Sequence, residues 1–260
     1  MRKISEVFVN GICLEKILED HEKWLNKKDD GKRANLNDAD LRYTDLIGAN
    51  LRDVNLNGAD LSGADLSYAD LKDAYLRGAY LKNADLKGAD LRDVNLSSAD
   101  LRYTNLNGAD LNGADLRCAN LWDANLTGVN LTGADLSDAY LSYANLSYAN
   151  LSYTYLRCAN LSYANLRKIN LSHTDLKGID LIGANLSDTD LSGADLSYAD
   201  LSDADLRYTN LNGANLSDAD LSSANLSYAD LSGADLNNTC LRGVNLSYAN
   251  LSDADLSDTN

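Results

Sequence analysis

The sequence predicts an all-β solenoid, a four-sided β-helix preceded by a small α-helical cap. Leucine occupies every fifth position from Leu36 to Leu256, 45 times in succession. Before each leucine stands a polar residue, mostly Asp or Asn, and before that a small residue, mostly Ala. Leucines five residues apart would wind around the axis of an α-helix, and in one long strand they would alternate between faces. The chain must therefore turn a corner in every five-residue unit.

Each unit divides into a short extended part and a corner. In Ala59-Asp60-Leu61 the small residue and the leucine lie two apart, so both point inward while the polar residue faces out. Ser62 and Gly63 then form the corner. We name these positions the small slot, the polar slot, the leucine, and the first and second corner slots. All 15 glycines of the repeats occupy the second corner slot, but Tyr, Asp, Cys and Ser also occur there. We therefore expect that a positive φ is not obligatory at the corner.

Four corners close one coil of twenty residues, so leucines twenty positions apart stack in four internal columns. The 45 units make about eleven coils. At a strand spacing of roughly 4.8 Å the rod is about 53 Å long. Ile169 and Ile179 are the largest residues in the small slot and are expected to mark local departures from the regular coil.

Residues 1–33 are predicted to cap the first coil, and residues 34–260 to form the β-helix. A helix is expected near residues 14–27, because apolar and aromatic residues recur there on one helical face. These residues are Leu14, Ile17, Leu18, His21, Trp24 and Leu25. The following Asp29-Asp30-Gly31 is a typical stop and turn signal.

The last coil shows no matching capping pattern, and this predicts a dimer contact. We expect two chains to join through the leucines of the C-terminal coil. These are Leu241, Leu246, Leu251 and Leu256. The alternative is that Asp255 and Asn260 leave a short, solvated edge that needs no partner.

The net charge of −16 is unevenly distributed along the chain. Residues 1–120 carry −4, whereas residues 121–260 carry −12. Within the acidic half, one coil has an aspartate on each of its four sides, and we term this set the acidic ring. It consists of Asp190, Asp195, Asp200 and Asp205. Such a surface disfavours direct nucleic-acid binding and favours a basic protein partner, although solubility alone would also explain it.

Tyrosine is the one aromatic residue used freely, and 11 of the 15 tyrosines occupy the second corner slot. Tyr208, Tyr228 and Tyr248 stack in one column on consecutive coils, and Tyr143 and Tyr163 stack in another. Exposed tyrosines are common in recognition surfaces, but a column could equally stabilise the rod by stacking.

Two further tyrosines interrupt the polar slot. Tyr75 and Tyr80 replace the usual Asp or Asn in neighbouring units, and this makes them a candidate contact. Packing along the rod is again the alternative.

Nothing in the sequence indicates an enzyme. His21 and His173 are the only histidines, and neither has a nucleophile in its sequence context. The four cysteines have no metal-ligand or redox spacing, so no metal or cofactor is expected. No signal peptide or apolar run long enough for a membrane span is present, and the free cysteines predict a reduced, cytoplasmic protein.

The tandem Ala-Asp/Asn-Leu-X-X units of residues 34–260 resemble the pentapeptide-repeat family, and Leu14–Leu36 is similar to the lead-in of many bacterial and phage members. The resemblance implies a right-handed quadrilateral β-helix. It also implies a non-catalytic binding or scaffold rod with an unidentified protein partner.

An alternative function follows from the same resemblance. Some members of the family mimic duplex DNA and bind DNA gyrase. Those members often carry central phenylalanines, inserted loops or a C-terminal dimerising helix, and the repeats of this chain have none of these.

Overall fold

The chain winds as a four-sided β-helix whose rungs lie twenty residues apart. The computed structural model describes residues 1–260. Polar-slot residues from Asn35 to Asp235, except Asn150 and Tyr155, form a parallel bridge to the residue twenty positions later, as Asp60 does with Tyr80. The next leucine donates its amide to the carbonyl of that later residue, and Leu61 N lies 2.7 Å from Tyr80 O. The predicted four-sided all-β solenoid is therefore confirmed.

Every corner contains a residue in the left-handed region of the backbone. All 45 residues of the second corner slot have a φ between +54° and +74°, and 30 of them are not glycine. The expectation that a positive φ is not obligatory was therefore wrong. This conformation lets Gly63 N donate to Lys82 O on the next rung at 2.9 Å, while Ala64 N closes the turn on Leu61 O. At most corners these two hydrogen bonds offset a cost of about 1–2 kcal/mol for a residue with a side chain.

Leucines and small-slot residues form one continuous core. The repeat leucines from Leu36 to Leu236 are at most 4% exposed. Thr104 in the small slot donates its Oγ1 to Leu81 O at 3.0 Å, and Thr44 Oγ1 is the one buried side-chain polar atom without a hydrogen-bond partner. The core therefore carries few unsatisfied polar atoms.

The last coil is less well covered than the others. Three of the four leucines predicted to join two chains are half-buried, and Leu256 is 42% exposed. The others are Leu241, Leu246 and Leu251. This end of the core therefore presents apolar surface to solvent.

A short mixed segment precedes the first coil. Its elements are the 3₁₀ turn Ile4–Glu6, the antiparallel strands β1 (Phe8–Val9) and β2 (Ile12–Cys13), and the helix α1 (Leu14–Leu25). Helix α1 ends two residues before the predicted limit, because Lys27 has a φ of +55° and cannot continue a right-handed helix.

His21 joins helix α1 to the start and the end of the first coil. Its ring is fully buried, with Nε2 2.8 Å from Arg52 O and Nδ1 accepting the amide of Ala34 at 3.2 Å. The two contacts require the neutral tautomer with its proton on Nε2. Burial lowers the pKa of His21 and so favours the same neutral form.

Candidate interaction surfaces

The polar slot supports the backbone of the corner that follows it. Asp60 Oδ1 accepts the amide of Ser62 at 3.0 Å, and Asp65 Oδ1 accepts the amide of Ser67 at the same distance. Asp and Asn reach their own backbone two residues on, which explains why neither Glu nor Gln occupies this slot. One oxygen of these outer carboxylates is therefore engaged in the turn.

The acidic ring surrounds one coil, with each aspartate half-buried at the surface. All four accept the amide two residues later, at 3.0–3.2 Å. Of the four, only Asp205 lies in an ion pair, with Arg207 at 2.7 Å. Burial acts to raise the pKa of Asp205, but the bonds from Arg207 outweigh it and lower the pKa. The use of this ring for binding stays a prediction.

The C-terminal tyrosines form a regular stacked column. Tyr208 and Tyr228 have ring centroids 5.0 Å apart, and Tyr228 and Tyr248 4.9 Å apart, with planes within 12° of parallel. The three rings are between 51% and 81% exposed. Their faces cover one another, so mainly the ring edges remain for a partner.

The two tyrosines of the polar slot differ in their surroundings. Tyr75 lies under the guanidinium of Arg33, 5.2 Å from its ring centroid, and is 44% exposed. Tyr80 is 53% exposed. Tyr75 therefore contributes to the junction with the N-terminal segment, whereas Tyr80 stands on the open surface of the neighbouring side.

A longer aromatic surface runs along one corner of the β-helix. Tyr103 packs edge-on against Trp122 at 5.0 Å, Trp122 against Tyr143 at 5.8 Å, and Tyr143 stacks on Tyr163 at 5.0 Å. We term these four residues the aromatic stripe. The sequence predicted the Tyr143–Tyr163 pair but missed the other two, because Trp122 occupies the first corner slot and leans into the column of second-slot residues.

The stripe enters a part of the acidic half that has no acidic residue. Residues 139–174 contain neither Asp nor Glu but hold six of the 15 tyrosines. They also contain Arg157, Arg167 and Lys168. We term residues 139–174 the acid-free belt. This absence of Asp and Glu can be read from the sequence, but the net charge of residues 121–260 as a whole does not reveal it.

Two adjacent sides of the β-helix separate within this belt. The bridges that the twenty-residue register would make from Asn150 and Tyr155 are absent, whereas Asn145 and Asn160 keep theirs. The other two sides thus remain joined, and the coils open as a wedge. The opening has a volume of about 940 Å³, and we term it the central cleft.

Backbone groups on the two rims of the central cleft lack their usual partners. Four amides on one rim make no backbone hydrogen bond. The four carbonyls nineteen residues later, on the other rim, would accept these amides in a regular coil, and they also have no backbone partner. The amides are those of Leu151, Tyr153, Leu156 and Cys158, and the carbonyls those of Asn170, Ser172, Asp175 and Lys177. The cleft is therefore bordered by two exposed strand edges.

Two unusually large small-slot residues coincide with this opening. Ile169 and Ile179 stand twenty residues after Ala149 and Ala159, and both isoleucines are buried. Isoleucine is larger than the Val and Thr that closed coils hold in this slot, and its added volume between the leucine columns opposes close approach of the coils. The predicted local departure thus falls at the cleft, although the sequence did not reveal its form.

Little at these surfaces indicates catalysis. His173 and Cys158 both line the central cleft. No group of three or more His, Cys, Asp or Glu side chains could hold a metal ion. No helical segment combines the length and apolar character needed to traverse a bilayer.

Solved structures with the same repeat resemble this chain. HetL, a pentapeptide repeat protein involved in heterocyst differentiation regulation from the cyanobacterium Nostoc sp. strain PCC 7120, is 37% identical. The match covers 80% of this chain and 89% of HetL, with a TM-score of 0.38. QnrB1, a plasmid-mediated fluoroquinolone resistance protein, is 23% identical, with coverage of 84% and 89% and a TM-score of 0.37.

The repeat pattern itself identifies the family. No curated protein matches this chain. The family model for pentapeptide repeats matches successive, overlapping segments from residue 34 to residue 260. The matched segments cover most of the chain and coincide with the units that build the β-helix. The chain therefore belongs to the pentapeptide-repeat family.

Proposed function

We propose that this chain is a non-catalytic, cytoplasmic protein-interaction rod, closed at its N-terminal end by residues 1–33, and that it binds its partner through the aromatic stripe. The observation that carries the proposal is the overlap of the stripe with the acid-free belt. Interface cores are enriched in aromatic residues and Arg and depleted of Asp and Glu, and the belt shares this composition.

The geometry of the stripe also favours binding over a purely structural role. Tyr143 and Tyr163 are each 51% exposed, and Tyr103 is 42% exposed. Their mutual contacts fix the rings before a partner arrives, so less side-chain entropy is lost on association. A fixed, exposed aromatic surface supplies contact area at low entropic cost.

Affinity capture with paired variants tests this proposal. The combined Tyr143→Asn and Tyr163→Asn variant should lose the captured partner, because it removes two exposed rings while Asn tolerates the left-handed corner. The control is Tyr228→Asn with Tyr248→Asn, which makes the same change in the same slot of the C-terminal column. Equal retention of the partner by both variants would refute the stripe as the binding surface.

DNA mimicry is the second candidate, and the acidic ring favours it because carboxylates face all four sides of one coil. The acid-free belt interrupts that pattern, so the mimicking surface would be confined to the coils that follow it. A gyrase supercoiling assay distinguishes the two functions. Inhibition that is lost in Asp190→Asn combined with Asp195→Asn supports mimicry, and full gyrase activity at micromolar protein excludes it.

We also propose that two chains associate through their C-terminal coils. The exposed apolar surface around Leu256 supports this contact. Light scattering should give twice the mass of the 28.1 kDa chain, and Leu256→Lys should restore the single-chain mass. A single-chain mass for the unmodified protein at high concentration contradicts the proposal.

A further inference from the structure

We propose that the central cleft binds an extended, acidic peptide segment of a partner protein, which joins the β-helix as an added strand. This inference rests on the protein-interaction role proposed above and adds the chemistry of the partner. It requires three properties of the cleft: free backbone groups on both rims, a positive local charge, and an opening maintained by the sequence itself.

The free backbone groups match the hydrogen-bonding pattern of a peptide strand. The amides of Leu151 and Leu156 point to where the next rung would lie, and the carbonyls of Asn170 and Asp175 face them from the other rim. An inserted strand offers carbonyls to the first rim and amides to the second. Exposed strand edges of this kind bind extended peptides by main-chain hydrogen bonds.

Basic residues around the cleft select an acidic segment, because Arg157 and Lys177 line it against a single carboxylate, Asp175. Arg167 and Lys168 occupy the corner before the first open side, where Arg167 pairs with Asp188 at 2.9 Å. Arg157 and Lys177 occupy the corner after the second open side. These are four of the six Lys and Arg residues of positions 121–260. A strand that follows both open sides thus has cations at each end, and complementary charge promotes association and fixes register.

The opening is maintained by buried side chains. Ile169 and Ile179 are 3% and 2% exposed, so the wedge between the coils is a packed part of the core. Tyr153 and Tyr155 stand beside the cleft, 87% and 65% exposed. They supply aromatic surface on which side chains of an inserted strand can pack.

The probe for the test is a synthetic peptide with the sequence of residues 194–203, Ala-Asp-Leu-Ser-Tyr-Ala-Asp-Leu-Ser-Asp, which in this chain forms two sides of a regular coil. Hydrogen exchange should show that it protects the amides of Leu151, Tyr153, Leu156 and Cys158. A version with Lys in place of Asp, and one with alternate N-methylated amides, should not protect them. Protection by the N-methylated peptide would overturn strand addition, and protection by the lysine peptide would overturn the charge selection.

Fluorescence anisotropy with the labelled peptide measures the contribution of charge. Arg157→Ser with Lys177→Ser should weaken binding about tenfold. Arg207→Ser is the matched control, because Arg207 occupies the same slot outside the cleft and should leave affinity unchanged. No binding at millimolar peptide overturns the proposal. Protection of the cleft amides by a short oligonucleotide but not by the acidic peptide also overturns it.

The two proposals fail separately. If partner capture depends on Tyr143 and Tyr163 while the peptide leaves the cleft amides unprotected, the cleft inference is wrong and the interaction rod stands. If the peptide protects the cleft and the tyrosine variant still captures the partner, the stripe is wrong as the binding surface. If partner capture does not depend on Tyr143 and Tyr163 and the peptide does not protect the cleft amides, both proposals are wrong.

Discussion

Residues 149–158 and residues 189–198 occupy the same two sides of the β-helix, two coils apart, yet they differ in how they meet the next coil. In the later segment Leu191 and Leu196 donate to the carbonyls of the following rung at 2.7 Å. In the earlier segment the amides of Leu151 and Leu156 have no backbone partner. The leucine period is identical in the two, so it sets the winding of the chain but not the closure of the coils.

The difference lies in the slots beside the leucine. The coil after residues 149–158 carries Ile169 and Ile179 in its small slots, whereas the coil after residues 189–198 carries the smaller Thr209 and Ala219 at the matching positions. In the earlier segment Tyr155 also replaces the polar-slot Asp or Asn that supports the corner. Tyr75, Tyr80 and Tyr140 also occupy the polar slot yet keep their bridges to the next coil. We therefore attribute the difference to the volume of the small-slot isoleucines.

Shortening a core leucine should have the largest effect and should differ between the two segments. Leu196→Ala should lower the free energy of unfolding by about 2–5 kcal/mol, because its site is fully packed. Leu156→Ala should cost less, nearer to about 2 kcal/mol, because one neighbour is the cleft. Guanidinium denaturation of both variants measures the difference, and equal losses would argue against an open coil at Leu156.

Substitutions in the polar slot should change the free energy of unfolding in opposite directions in the two segments. Asp195→Ala removes the acceptor of the Ser197 amide and should destabilise the protein by about 1 kcal/mol. Tyr155→Asn supplies an acceptor for the amide of Arg157 and should stabilise it by about 0.5–1 kcal/mol. Thermal denaturation monitored by circular dichroism reads both changes. Destabilisation by Tyr155→Asn would show that the tyrosine itself supports the fold there.

Acid should weaken the regular coils but leave the acid-free belt unaffected. Hydrogen bonds from Arg102 and Arg117 lower the pKa of Asp100 and Asp115. A lowered folded pKa gives stability that is present above the usual carboxyl pKa and is lost as the pH falls through the folded value. Replacing both with Asn should reduce the loss in urea stability between pH 7 and pH 3. An unchanged loss would contradict a contribution from these pairs.

Much of the β-helix could be predicted from the sequence, because its period directly encodes the geometry. The small slot, the leucine and the four sides follow from a spacing that no helix or straight strand accommodates. The left-handed corner was not predicted, since Tyr143 and Asp123 appeared too unfavourable for positive φ. The conformational cost of the positive φ is offset by a hydrogen bond from the corner amide to a carbonyl nineteen positions later. The sequence of a single unit does not reveal this bond.

The interaction surfaces were predicted only where they follow one column. Tyr208, Tyr228 and Tyr248 occupy the same slot twenty residues apart, so the repeat spacing predicts their column. Trp122 reaches its column from the first corner slot, and the repeat spacing does not predict that. The cleft depends on how several buried side chains pack between two coils, and the sequence indicated only that Ile169 and Ile179 were unusual.

Amide hydrogen exchange tests most directly whether the β-helix opens within the acid-free belt. The amides of Leu151, Tyr153, Leu156 and Cys158 should exchange at least about 100-fold faster than those of Leu191, Gly193, Leu196 and Tyr198, which are bonded to the next rung. Equal protection of the two sets would show that the coils are closed, and both the central cleft and the strand-addition proposal would then be wrong.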